Sequence, residues 1–343
     1  MKSMASHLLA VAILCHKERC FPIATDAEKN NSPSERLQFS LFFYAWLLVL
    51  LGVTKVVSAQ SDLRTGHDIS NRPFWVNVLY FRDGGGEKTL TEVLVEVPFA
   101  SCAFEKAGDG YEANVEVGVV FEDGSGFQID GAALSDLIRT NDSAATTSNI
   151  HTHIFYFAFR MEPGSYSLRV IIGDEQVDGR FSYTCKIDIP SFAKTPLQIS
   201  SLLLARHLEM SGNDSIIRKN GRSLIPNVPH LFAAQNRAGF FYFEAYNLSA
   251  NSSPADSFQV HFRLSHQGRE IHSASWKIPK PGPIAAINLP LHLSGFETGE
   301  YWLRVTVIDQ DSKRNASAFA VFYIAPSVAP TLGFFDTAAG SKN

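Results

Sequence analysis

After Phe74, apolar and polar residues alternate along most of this chain in short runs separated by turn residues. FWVNVLYF (74–81) leads into Asp83-Gly84-Gly85-Gly86, and LTEVLVEVPF (90–99) alternates as far as Pro98. YEANVEVGVVF (111–121) alternates again and stops at Glu122-Asp123-Gly124-Ser125-Gly126. HTHIFYFAFRM (151–161), YSLRVIIG (166–173) and FSYTCKIDI (181–189) complete a first set, which ends at Pro190. A period of two sends successive side chains to opposite faces of a strand, and strands at this spacing predict an antiparallel sandwich.

A second set begins with SIIRKNGRSLI (215–225), where Asn220-Gly221 between apolar flanks predicts a two-residue hairpin turn with φ > 0. GFFYFEAYNL (239–248), SFQVHFRLSHQGREIHSASWKI (257–278), AAINLPLHL (285–293), YWLRVTVI (301–308) and SAFAVFYI (317–324) follow. Between the sets, LQISSLLLARHLE (197–209) has helical character, but its apolar residues are too contiguous for periodicity to decide. It reads as the domain junction. The expected fold is all-β: two tandem immunoglobulin-like or fibronectin-like β-sandwich domains over 70–190 and 195–325. An N-terminal extension and signal segment (1–59) precede them, and a loose tail (326–343) follows.

The two sets are related. Met161–Asp174 aligns without gaps on Phe296–Asp309, agreeing at seven of fourteen positions: Glu, Gly, Tyr, Leu, Arg, Val and Asp. The offset, 135 residues between Tyr166 and Tyr301, is the size of a domain. Gly164 and Gly299 are read as allowing a tight turn into a strand. Tyr166 and Tyr301, two residues later, are placed like the tyrosine of a sandwich corner, whose hydroxyl bonds back to the backbone. If Tyr301 and Leu303 face a core, Trp302 faces outward, where an exposed indole is a common interface anchor. Phe241 and Phe243, in an aromatic run with Phe240, Tyr242 and Tyr246, are a further candidate surface, set against burial between two layers.

Residues 39–59, FSLFFYAWLLVLLGVTKVVSA, contain thirteen uncharged apolar residues from Leu41 to Val53. That is short of the roughly 20 residues a membrane-spanning helix needs, and Val57-Ser58-Ala59 offers small residues for cleavage near Gln60. The expectation is export to the periplasm or beyond, with an uncleaved anchor at 39–59 as the alternative and the only expected membrane contact. Cys102 and Cys185 are the two cysteines after this segment, and they read equally as a disulfide or as two buried free thiols.

Composition narrows the chemistry. With 45% apolar and 19% charged residues the chain has material for packed cores, and a net charge of −4 without a Lys/Arg cluster argues against nucleic acid. His151 and His153 lie on one face of a predicted strand, but a third metal ligand is not evident. Asp309-Gln-Asp311-Ser-Lys-Arg-Asn315 starts like a calcium loop, lacks its glycine and distal glutamate, and reads as a hairpin turn. There is no Gly-x-Ser-x-Gly elbow, Cys-x-x-Cys pair or phosphate-binding glycine loop. No catalytic residue, cofactor or metal is therefore expected.

Several motifs in one order resemble a family. Leu197–Ala205 (LQISSLLLA), Arg218-Lys-Asn-Gly221, Leu224-Ile-Pro-Asn227, Phe240–Leu248 and Gly299-Glu-Tyr-Trp-Leu-Arg-Val305 are similar to the N-terminal region of bacterial GWxTD-domain proteins, over roughly residues 70–325. The resemblance implies an exported bacterial protein with sandwich-like repeats. Trp46, Trp75, Trp276 and Trp302 each follow a residue other than glycine, so the name-giving segment is absent from this sequence. The expected function is a non-enzymatic interaction or scaffolding module of the cell envelope. Its expected partner is another envelope or secreted protein. The alternatives are a carbohydrate-binding module, which would take a polysaccharide, and the front half of a GWxTD-family protein.

Overall fold

The computed structural model describes residues 73–84, 87–174, 177–192, 196–209, 217–233, 238–249 and 256–325. The expected signal segment at 39–59 and the expected tail at 326–343 lie outside the described residues. Those that are described form strands and two short 3-10 turns, with no α-helix among them.

The first sandwich holds β1 (Trp75–Arg82), β2 (Thr89–Pro98), β3 (Glu105–Ala107), β4 (Gly110–Glu122), β5 (Gln128–Thr140), β6 (Thr152–Met161), β7 (Gly164–Asp174) and β8 (Val177–Ile189). One sheet runs β1-β2-β6. In the other, β4 pairs with β5 along one edge and with β3 and then β7 along the other, and β8 follows β7. All of these pairings are antiparallel.

The second sandwich repeats the plan with additions. Its elements are β9 (Gln198–Ile199), β10 (Leu203–Glu209), β11 (Ile217–Lys219), β12 (Arg222–Pro226), β13 (Leu231–Ala233), β14 (Ala238–Tyr246), β15 (Ser257–His266), β16 (Arg269–Pro279), β17 (Ile284–His292), β18 (Gly299–Asp309) and β19 (Arg314–Ala325). One sheet runs β11-β12-β10-β14-β17 and the other β13-β19-β18-β15-β16. Thus β10-β14-β17 matches β1-β2-β6, and β16-β15-β18-β19 matches β5-β4-β7-β8. Both units have the fibronectin-like division into a three-strand and a four-strand sheet. The second unit adds β9 beside β14, the β11–β12 hairpin and β13, which lies parallel to β19, and the first adds the short β3 beside β4.

Side-chain alternation stacks these sheets in four layers. From β2, Val93, Val95 and Val97 enter a core shared with β4, β7 and β8. From the opposite face of the same sheet, Leu79, Phe81 and Leu94 meet Leu203, Ala205, Leu224 and Tyr242 of the second sandwich. Phe241, Phe243 and Ala245 fill a third core against β15, β18 and β19. The β1-β2-β6 and β10-β14-β17 sheets are therefore inner sheets, covered on both faces along β1, β2, β10 and β14, while the edge strands β6 and β17 keep one face partly exposed. Leu79, Leu94, Leu203 and Leu224 are completely buried in the middle layer, where burying one such side chain is worth about 1.5–3 kcal/mol.

This layering explains one departure from the sequence reading. Residues 197–209 form strands, not a helix, and belong to the second sandwich. Leu202 and Leu204 enter its core while Leu203 and Ala205 face the middle layer, so a strand wet on neither face shows no alternation. The strand is interrupted at Ser200-Ser201, both buried. The Ser200 hydroxyl accepts from Glu244 N at 2.8 Å, and the Ser201 hydroxyl accepts from Tyr80 N at 2.9 Å.

The predicted hairpin is present: Asn220 (φ 49°) and Gly221 (φ 73°) connect β11 to β12 with both residues in the left-handed region.

Candidate functional site

The aligned repeat segments are the same strand in each sandwich, β7 and β18. In both corners the tyrosine hydroxyl donates to a carbonyl four residues upstream: Tyr166 to Glu162 O at 3.0 Å, and Tyr301 to Glu297 O at 2.8 Å. The glycines differ. Gly299 has φ +143°, and a Cβ there would sit 2.6 Å from Cε1 of His266, whose ring stacks on Tyr301 at 4.5 Å. Gly164 has no positive φ, and a Cβ would meet Tyr166 at an ordinary 3.5 Å. The conformational need read into both glycines holds for Gly299 alone.

Of the candidate surface residues, Phe241 and Phe243 are fully buried and stack on one another at 6.2 Å in the core of the second sandwich. They present nothing outward, because their strand is covered on both sides. Cys102 and Cys185 are free thiols, each half-buried. Burial pushes the Cys185 thiol up to about 11, with a hydrogen bond to Tyr183 opposing the rise, so it is protonated and a poor nucleophile at neutral pH.

His153 Nε2 lies 2.8 Å from Asp136 Oδ2, which ties β6 to β5. The Asp309–Asn315 segment is the β18–β19 turn, with Lys313 at φ 53°. Its buried Asp309 pairs with Lys280 Nζ at 2.8 Å and accepts from Ser249 N and Ser312 Oγ, each at 2.8 Å. Burial would raise the Asp309 carboxyl, but Lys280 and these donors override it and hold the carboxyl far below its usual range. An ammonium therefore sits where a calcium loop would hold its cation.

Sequence reasoning missed the polar groups of the middle layer. Glu92 Oε1 accepts from Lys219 Nζ at 2.5 Å and from the Tyr156 hydroxyl at 2.8 Å. Glu96 Oε1 accepts from Arg206 at 2.7 Å and from Thr152 at 2.8 Å. Both glutamates are buried. Glu244 accepts from the hydroxyls of Tyr242 and Tyr246 at 2.5 and 2.7 Å. Asn77 Nδ2 donates to His230 Nε2 at 2.8 Å, so the ring proton lies on Nδ1, which donates to Val321 O at 2.8 Å. The spacing of Glu92 and Glu96 on one strand face was visible, but their cationic partners lie 127 and 110 residues away. The Glu92–Lys219, Glu96–Arg206 and Asn77–His230 contacts join the two sandwiches.

That leaves the outer face of β18, where Glu300, Trp302 and Arg304 alternate with buried Tyr301, Leu303 and Val305. Trp302 is 50% exposed, and its Nε1 donates to Glu300 Oε1 at 2.7 Å. Strand register places only Ser265 and Val321 beside it. One step along, Arg304 lies over the Phe319 ring at 5.1 Å and opposite Arg263, which pairs with Glu270 at 3.7 Å. An aromatic anchor inside a charged rim is the chemistry of a protein-docking patch.

No family model matches the chain, and no curated protein matches it. Among solved structures it is similar to dimeric latent PorU from Porphyromonas gingivalis, at 12% identity and a TM-score of 0.28. The match covers 77% of this chain and 22% of that one, so the chain spans about a fifth of that protein's length. A likeness at this level says nothing about function.

Proposed function

We propose that this chain is a non-enzymatic exported module that docks another envelope or secreted protein on the outer sheet of its second sandwich, with Trp302 as the anchor. The observation that supports this reading is the half-exposed indole between Ser265 and Val321, ringed by Glu300, Arg304 and Arg263. Exposed tryptophans with polar rims are over-represented among residues that dominate binding energy. The apolar run at 41–53 and the resemblance to GWxTD-domain proteins favour a bacterial envelope setting.

The test is a photo-crosslinking side chain at position 265, beside the indole, in the exported full-length chain. One crosslinked protein should be recovered from the envelope fraction and lost with Trp302→Ala. Recovery unaffected by Trp302→Ala would sink the proposal. Retention of the wild type on a polysaccharide array, abolished by Trp302→Ala, would replace the protein partner with a sugar, whose ring can also stack on an indole.

A further inference from the structure

The last strand of the first outer sheet, β5, carries no strand on its far edge among the described residues, and its surface is unlike the rest of the molecule. Eight large apolar side chains are exposed among the described residues. Four of them, Phe127, Ile129, Leu134 and Leu137, lie on β5 or immediately before it. The edge is long, at 13 residues, and contains neither Lys nor Pro. Its charged groups are already engaged within the chain: Asp130 with Gly131 N, Asp136 with His153 and Arg139 with Glu112. The other edges of the two outer sheets are blunted. β13 has three residues, β16 carries Arg269, Glu270, Lys277 and Pro279, and β8 carries Lys186 and Asp188. Because β16 is the repeat counterpart of β5, one copy of this strand position is protected against pairing and the other is not.

An unprotected edge offers a row of free backbone donors and acceptors, which only another extended strand can match. We infer that the strand it takes is β5 of a second copy, paired antiparallel about a two-fold axis at Leu134. This pairing is self-complementary. Leu134 meets the partner's Leu134, Leu137 lies over the partner's Gly131, and Asp130 and Asp136 face the partner's Ile138 and the partner's Ala132. No like charges are directly opposed. The Ile129 bulge ends the ladder at one side. Neighbouring registers are worse: a two-residue shift one way opposes Asp130 with the partner's Asp136, and the other way sets Leu134 against that carboxylate. A one-residue slip would exchange the faces of every side chain. The two outer sheets then join into one continuous sheet. This surface is separate from the Trp302 face, and the proposal does not depend on that reading.

Sedimentation equilibrium of the full-length chain tests it. The expected result is a concentration-dependent dimer whose dissociation constant rises at least ~100-fold in Leu134→Lys, which opposes two ammonium groups on the axis. At concentrations low enough for both proteins to be monomeric, the urea midpoint should not move, since Leu134 is 43% exposed. Directly opposed residues fall within disulfide reach, so oxidised Leu134→Cys should yield a dimer joined at position 134, by peptide mapping. Leu137→Cys should yield none joined at 137. A monomer at every soluble concentration, a dimer indifferent to Leu134→Lys, or equal crosslinking at both positions would overturn the inference.

Discussion

Removing the cation from the Glu92–Lys219 pair should unfold both sandwiches together and at a large cost. Lys219→Met keeps the aliphatic stem but deletes the ammonium, which is 2.5 Å from Glu92 and 3.7 Å from the centroid of the Phe81 ring. The Glu92 side chain is 1% exposed, so water cannot take the place of the lost partner. Breaking a buried ion pair from one side costs about 3–5 kcal/mol, where an exposed pair is worth about 0–1. Lys219→Met should therefore lower the unfolding free energy by about 3–5 kcal/mol in urea titrations. Glu92→Gln/Lys219→Met removes both charges and retains an acceptor for Tyr156, so it should lie within about 1.5 kcal/mol of the wild type. Because the pair joins β2 to β11 across the middle layer, far-UV circular dichroism and tryptophan fluorescence should give one coincident transition in all three proteins. A loss below about 1 kcal/mol in Lys219→Met would refute the burial argument, and a biphasic wild-type curve would refute the single folding unit.

Three further outcomes follow from the same contacts. Burial first, and then the charge of Glu92 or Glu244, raises the hydroxyl pKa values of Tyr156, Tyr242 and Tyr246 far above 10. Their stabilisation is complete below the unfolded value near 10 and is lost as pH rises above it, because the unfolded chain then releases protons that the native state keeps. The unfolding free energy should therefore fall as pH rises above 10, measurable as urea midpoints; a flat profile would contradict it. Gly299→Ala should cost several-fold more than Gly164→Ala, since its φ of +143° and the 2.6 Å approach to His266 apply only there; equal thermal shifts would count against the distinction. Tyr301→Phe should lose about 0.5–1.5 kcal/mol with the corner hydrogen bond, and calorimetry showing no change would remove the corner from the account.

How much of this is legible in the sequence depends on whether one side of a strand is wet. β4 and β18 have one dry and one solvated face, and their alternation marks them almost residue for residue. The repeat alignment matches β7 onto β18 at both ends, Gly164 to Gly299 and Asp174 to Asp309. Strands of the inner sheets are harder. Residues 197–209 and the Phe240–Phe243 run lose their alternation because both faces are covered, which gives 197–209 its helical character and makes the aromatic run resemble surplus surface. β5 escapes notice for the opposite reason: most of its residues are exposed, so QIDGAALSDLIRT has no buried stripe to betray it. The charged contacts of the middle layer join residues more than a hundred positions apart, beyond any local pattern.

The same layering decides where this molecule can meet anything else. Two of its four sheets have both faces of their central strands committed to cores, so those side chains serve to hold the sandwiches together. Partner-facing chemistry among the described residues is thereby concentrated on the two outer sheets, the edge strands and the loops. On those sheets the apolar exposure divides unevenly between the repeats: the later sandwich displays Trp302 within a charged rim and Ile271 on β16, and the earlier one a run of aliphatic and aromatic side chains along a free edge. The charged rim suits a partner of different sequence, which can supply opposite charges. The edge suits an identical strand, whose pairing is set by its own two-fold symmetry. One repeated architecture thus carries two different surfaces, because by register β16 has Trp276 and Pro279 where β5 has Leu134 and Leu137 exposed.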